Sequence, residues 1–322
     1  MRRVALEEAF WFDGLATPSS FRELRRQYRT ETLDRLARRL TDFTEYRLPE
    51  MDEYGVDVQV LALASPGVQM QPDPDVAADD ARRANDFLAE TIAGHPTRFA
   101  GLAALPLQDP ERAVLELRRA VTGFGLRGAL VNDHTLGHYL DEERYAVVWA
   151  ELQDLDVPLY LHPGAVPADR WHVLEGRPEL HGATFAWAAA TGGHAMRLVY
   201  GKVFDRFPRA KVILGHMGEF LPFQLTRFDA RHRDLALERP LDRLPSEYFG
   251  ENIKITTTGV YSHATLIAAI RAVGIDNVMF SIDYPFEPTE ESVRFLDTAP
   301  LTPGELALVA HANADRLLRL SP

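Results

Sequence analysis

The chain of 322 residues contains no cysteine. Disulfides, thiolate metal sites and a cysteine nucleophile are therefore excluded, which leaves any metal to carboxylates and imidazoles. Lysine is nearly as scarce, at three of the 35 basic residues. No apolar run approaches the ~20 residues that cross a bilayer, so no membrane partner is expected. The start, Met1-Arg2-Arg3-Val4, lacks the apolar core of a signal peptide, and the cytoplasm is the expected compartment. Positive charge is in deficit: 47 acids against 35 bases leave −12, which speaks against a nucleic-acid partner. A glycine-rich phosphate fingerprint is also missing. Glu7-Glu8-Ala9 stands where a dinucleotide-binding sheet would carry one.

What is present is a series of eight short apolar, β-branched runs: Val4–Glu8, Asp57–Leu63, Phe99–Leu105, Gly128–Val131, Pro158–His162, Lys211–Gly215, Ile253–Thr258 and Val278–Asp283. Helical periodicity fills most of the gaps, the pattern of a parallel sheet with crossover helices. Asp109-Pro110 has the chemistry of a helix start, and Asp141–Asp156, Ser262–Val273 and Pro303–Leu320 read as further helices. No repeat or Gly/Ser linker divides the chain. The expectation is one α/β domain over residues 1–322, a single (β/α)8 TIM barrel with insertions at 13–50 after strand 1 and 163–205 after strand 5. The first insertion holds Arg22, Arg25, Arg26, Arg29, Arg35, Arg38 and Arg39. Interleaved acids and the lack of an aromatic platform make this a structural or subunit-facing stretch rather than a nucleic-acid surface.

Chargeable residues stand at the ends of four runs, where a barrel builds its active site. They are Glu7 on strand 1, His162 on strand 5, His216 with Glu219 on strand 6, and Asp283 on strand 8. Taken singly, each has a structural explanation: a bonded histidine, a helix cap, a partner for arginine. Taken together, two carboxylates and two imidazoles converging on one barrel mouth solve the cost of burying charge by sharing a divalent metal. The other histidines read as structural, with His194 placed to face the pocket from the second insertion.

The segments Val4-Ala5-Leu6-Glu7-Glu8-Ala9-Phe10, Ser65-Pro66-Gly67-Val68-Gln69, Val157-Pro158-Leu159-Tyr160-Leu161-His162-Pro163, Gly215-His216-Met217-Gly218-Glu219 and Phe280-Ser281-Ile282-Asp283-Tyr284-Pro285, in this order, carry a resemblance. The chain resembles the amidohydrolase superfamily in its branch of non-oxidative decarboxylases. Within that branch it is similar to the 2,3-dihydroxybenzoate, γ-resorcylate and salicylate decarboxylases. The resemblance implies a carboxy-lyase with metal ligands Glu7, His162 and Asp283. It implies proton handling by His216 with Glu219 behind it, and a substrate contact from Arg227, in its own pocket or that of a neighbouring subunit. It also implies a homodimer or homotetramer acting on a small aromatic carboxylic acid. Many superfamily members carry His-x-His on strand 1, and γ-resorcylate decarboxylases Glu-x-His. Ala9 leaves this chain one ligand short, as in the 2,3-dihydroxybenzoate and salicylate enzymes.

Two carboxylates, one imidazole and open positions favour a hard octahedral ion, with Mg²⁺ expected ahead of Mn²⁺ and Zn²⁺. An ortho-hydroxybenzoate chelates such an ion through its carboxylate and phenol oxygen. Protonation of the ring carbon, with Asp283 as the candidate donor, then releases CO₂. Two alternatives stand beside this: a metal-dependent lactone or amide hydrolase on the same barrel, and a non-catalytic barrel used for binding or assembly. Phe10, Trp11, Trp171, Phe185 and Trp187 are candidate pocket walls, each equally explained by packing.

Overall fold

A computed structural model of the chain describes residues 1–16, 29–164 and 171–320. All eight expected strands form: β1 (Val4–Phe10), β2 (Val58–Leu63), β3 (Phe99–Gly101), β4 (Ala129–Asn132), β5 (Leu159–His162), β6 (Val212–Leu214), β7 (Ile253–Thr256) and β8 (Val278–Met279). Neighbours pair in parallel and in chain order, β1-β2-β3 in one sheet and β4-β5-β6-β7-β8 in a second. A single parallel bridge, Ala103 to Ala129, joins β3 to β4. At the other seam, the Ala9 N–H donates to the Tyr284 carbonyl at 2.8 Å and the Glu7 N–H to Ser281 Oγ at 2.8 Å.

Alternation along the strands separates two apolar layers. Val4, Leu6, Val58, Val60, Ala62, Ala100, Leu130, Tyr160, Ile213 and Met279 pack together inside the ring of strands. Leu61, Leu63, Phe99, Val131, Leu159, Leu161, Val212 and Ile255 face the helices. Each large side chain so buried contributes roughly 1.5–3 kcal/mol. β1 departs from strict alternation, because its register against β2 slips by one residue between Ala5 and Glu8. The bulge lets Leu6 and Glu7 both face inward, so the strand fills the barrel with one and arms the mouth with the other.

The helix signals behave as their chemistry requires. Asp109 caps Pro110–Arg118 by accepting from the Glu111 N–H at 3.1 Å and the Arg112 N–H at 3.3 Å. Ser262 caps His263–Val273. Two helices differ from expectation. The Asp141–Asp156 stretch enters through a 3₁₀ turn, so its α-helix is Ala146–Leu155. Pro303–Leu320 is interrupted by a π segment, Leu308–Ala312.

Of the first insertion, Arg22, Arg25 and Arg26 lie outside the described residues. Its described part contains the helix Thr30–Thr41, which buries Leu33, Leu36 and Leu40. Arg39 pairs with Glu50 as a structural arginine, but Arg35 lines the central cavity, which corrects the purely structural reading of this cluster. The described part of the second insertion holds short 3₁₀ turns followed by the helix Ala186–Tyr200. No helix among the described residues is long and apolar enough to cross a membrane.

Candidate metal centre

Glu7 sits inside the mouth and is 2% exposed. Its Oε2 accepts from the Tyr160 hydroxyl and, at 2.5 Å, from the Thr258 hydroxyl. Tyr160 and Thr258 each meet Thr256 Oγ1, at 3.0 and 2.7 Å, which completes a hydroxyl chain behind the carboxylate. Burial, together with the Glu7 charge, pushes the Tyr160 phenol well above its ordinary pKa, so it acts as a donor. Glu7 Oε1 is left buried with no hydrogen-bond partner among the described residues. His162 Nε2 is 3.5 Å from that oxygen. Gly215 makes room for the carboxylate: a Cβ there would fall 2.8 and 2.9 Å from its two oxygens.

His162 closes β5, and its Nδ1 stands 2.8 Å from the Pro163 carbonyl. That carbonyl can only accept, so Nδ1 carries the proton and the Nε2 lone pair faces Glu7. Burial lowers the His162 pKa and keeps the ring neutral, the form that binds a cation. Asp283 follows β8 at a φ of +77°. One donor atom from each of Glu7, His162 and Asp283 lies within 4.8 Å of the others. Ligands at ~2.1 Å from an octahedral ion stand at most ~4.2 Å apart, so the set needs only a small contraction to hold one.

His216 and Glu219 come from an unusual turn after β6. His216, Met217, Gly218, Glu219 and Phe220 have φ of 50°, 57°, 79°, 53° and 66°, a continuous left-handed run. It turns His216 Nδ1 onto Glu219 Oε1 at 2.7 Å and leaves Nε2 3.9 Å from both Glu7 Oε1 and Asp283 Oδ2. Burial works against the His216 imidazolium, but the Glu219 and Glu7 charges outweigh it and hold the ring well above its ordinary pKa. Burial likewise pushes the Asp283 carboxyl well above its ordinary pKa, opposed by the contact with His216.

These groups line one cavity of about 380 Å³. Glu7, His162, His216, Glu219 and Asp283 all reach it, as the sequence suggested. Arg227 does not: it is exposed on the helix Leu225–His232 and lies outside the lining of its own chain's cavity. His194 is also elsewhere, with Nδ1 2.8 Å from Asp133 and Nε2 accepting from the Leu140 N–H at 3.0 Å. Of the five candidate wall aromatics, Trp187 lines the cavity, and Phe220 and Phe286 join it. Sequence reasoning missed Arg35, His181 and Glu287, which come to the cavity from insertions and loops. For Glu287 the signal was available, four residues beyond Asp283 and two past the end of the Phe280–Pro285 segment.

Parallel strands closing around an inner core, with a carboxylate–imidazole cluster at their C-terminal ends, define the class of barrel proteins built for metal-assisted chemistry on small molecules. Within that class the chain belongs to the amidohydrolase family, whose model matches residues 15–320. It is 40% identical over 329 residues to gamma-resorcylate decarboxylase of Rhodococcus jostii (strain RHA1), covering 99% of this chain and 98% of that one. Its structure is similar to that of 2,6-dihydroxybenzoate decarboxylase complexed with 2,6-dihydroxybenzoate, with a TM-score of 0.92, 39% identity and 99% of both chains covered. It is equally similar to a dihydroxybenzoic acid decarboxylase from Polaromonas sp. JS666 with bound manganese and the inhibitor 2-nitroresorcinol. There the TM-score is 0.92 and the identity 38%, over 99% of this chain and 97% of that one. Ala9 pointed toward the 2,3-dihydroxybenzoate and salicylate enzymes; likeness over the whole chain places γ-resorcylate-type enzymes among its near relatives all the same.

Proposed function

We propose that this chain is a carboxy-lyase that removes CO₂ from an ortho-hydroxybenzoate-type acid with the help of one divalent metal. The observation that carries the reading is the buried Glu7 Oε1, without a hydrogen-bond partner among the described residues, which faces the His162 lone pair and Asp283 inside an open cavity. Full-length likeness to aromatic-acid decarboxylases supports it. Mg²⁺, expected from the donor set, finds no support among these relatives, and Mn²⁺ takes its place as the proposed ion because a relative holds it. A filled barrel would have favoured a non-catalytic role, whereas this cavity is open. Nothing in the geometry favours the hydrolase: Ala9 supplies no further ligand, and Asn132-Asp133 stands where a metal-bridging lysine would follow strand 4.

Glu7, His162 and Asp283 would hold the ion, whose contribution when bound is Lewis acidity toward the substrate's carboxylate and phenol oxygens. Asp283, supplied by His216 Nε2 3.9 Å from its Oδ2, donates a proton to the ring carbon bearing the carboxylate. The C–C bond to the carboxylate then breaks, its electron pair restores the aromatic ring, and CO₂ departs. Asp283 is left as a carboxylate, and the His216–Glu219 pair returns the proton. Trp187, Phe220 and Phe286 wall the ring from water. The exposed position of Arg227 suits a contact with a partner's substrate, in a homodimer or homotetramer.

The test is CO₂ release from a panel of 2-hydroxybenzoates by protein loaded with Mn²⁺, Mg²⁺ or Zn²⁺. Activity is expected, and Asp283→Asn should lower kcat by at least ~10³. Inactivity of metal-loaded protein on the whole panel would sink the assignment.

A further inference from the structure

Asp283 needs support that β8 does not give, because the β8 ladder ends at Met279. The segment that follows docks on β1 through a side chain. Glu8 is wholly buried. Its Oε1 accepts from the Ile282 N–H at 3.1 Å and the Ser281 hydroxyl at 3.3 Å, and its Oε2 accepts from the Tyr284 N–H at 3.0 Å. The two amides it grips belong to the residues immediately before and after Asp283. Between them Asp283 holds its left-handed φ of +77°, a conformation that costs a non-glycine residue and persists only where neighbours over-determine it.

The same carboxylate reaches the other ligand strand. Ser281 Oγ, while donating to Glu8, accepts from the Glu7 N–H at 2.8 Å. Behind the staple stands the wholly buried Arg47, whose Nη2 donates to the Ala9 carbonyl at 2.5 Å and whose guanidinium lies 4.3 Å from the Tyr284 ring centre. The Glu8 staple therefore runs from the backbone of Glu7, through Ser281, to both sides of Asp283.

We propose that Glu8 is a positioning residue for the metal site: its bidentate grip on the amides flanking Asp283 sets the spacing between the Glu7 and Asp283 donors. This rests on the metal-site reading above. A carboxylate is required because both oxygens must accept. Glutamine would turn a donor toward one of the two N–H groups and release that side.

Mn²⁺ binding to the full chain, followed by the EPR signal of free Mn²⁺, tests this in wild type, Glu8→Gln, Ser281→Ala and Glu116→Gln. Glu116 is a buried carboxylate bound to Asn85 and Arg119, away from the cavity, so its variant perturbs packing without touching the staple. The expected result is a Kd raised ~10–100-fold in Glu8→Gln, as for other groups that orient metal ligands. Ser281→Ala should show a rise of several-fold, and Glu116→Gln the wild-type value. A folded Glu8→Gln protein with a Kd within twofold of wild type overturns the proposal. If Glu8→Gln does not fold, Ser281→Ala decides: a raised Kd supports the staple and an unchanged one overturns it. Wild type that binds no Mn²⁺ would instead overturn the metal-site reading itself.

Discussion

Buried carboxylate oxygens are almost always satisfied, so a bare one inside a polar cavity marks where a ligand belongs. In Glu7 the two oxygens divide the work. Oε2 is saturated by Tyr160 and Thr258, which fixes the plane of the carboxylate, and Oε1 is held free toward His162. Gly215 is the unobtrusive third party. Its φ of −68° and ψ of −174° suit any residue, so only the space a Cβ would take, 2.8–2.9 Å from the Glu7 oxygens, calls for glycine. Gly215→Ala should therefore fold, displace the carboxylate and weaken Mn²⁺ binding by at least ~10-fold, the size of effect seen when a ligand's support is altered. Calorimetric titration measures this, and unchanged affinity would mean that the carboxylate has room to move aside.

At the scale of elements, the left-handed turn after β6 does what a right-handed helix start would not: it folds His216 back onto Glu219 within one turn. Left-handed helical conformation costs roughly 1–2 kcal/mol for each non-glycine residue, and such residues ordinarily occur singly. Four of the five here are not glycine. Burial of Met217 and Glu219 and the His216–Glu219 bond are the visible compensation. Gly218 carries the largest φ of the run, and a Cβ there would meet Pro222 Cγ at 2.8 Å and Ile255 Cγ2 at 2.9 Å. Gly218→Ala should cost about 2–4 kcal/mol, the sum of backbone strain and overpacking, and urea unfolding will read it. The strands and the four ends that carry chargeable residues were legible in the sequence because β-branched runs and their interruptions are local signals. The β1 bulge, this turn and the approach of Arg35 and His181 were not. They are fixed by register and by packing of segments distant in the chain, which periodicity cannot encode.

Across the whole molecule the two ends of the barrel handle charge in opposite ways. The C-terminal mouth leaves Glu7 Oε1 and Glu219 Oε2 without hydrogen-bond partners among the described residues. The N-terminal end has a smaller cavity, about 230 Å³, lined by Arg209, Lys211, Lys254, Arg316 and Arg319, and there each cation is matched. Arg209 faces Asp154 at 3.7 Å, Arg316 faces Asp276 at 3.6 Å, and Arg319 pairs with Asp156. Lys211 donates to the Glu251 carbonyl at 2.8 Å, and Lys254 to the Gly250 carbonyl and Asn277 Oδ1. One end is a site and the other a closure, and Lys254 gives the closure a titration. Burial, with Lys211 and Arg316 repelling from nearby, brings its pKa down from 10.5 to about 8. Between those values the unfolded chain holds the proton and the folded chain does not, so the Lys254 contribution to stability rises with pH across about 8 to 10.5. Below pH 8 both states are protonated, and the contribution stays at its lower, constant level. Lys254→Met keeps the apolar stem and removes the titrating group. The stability of wild type minus that of the variant, from urea unfolding at a series of pH values, should be flat below 8 and climb toward 10.5. A difference flat through the whole window would show that Lys254 keeps its proton in the folded barrel, exchanging the closure described here for a solvated one.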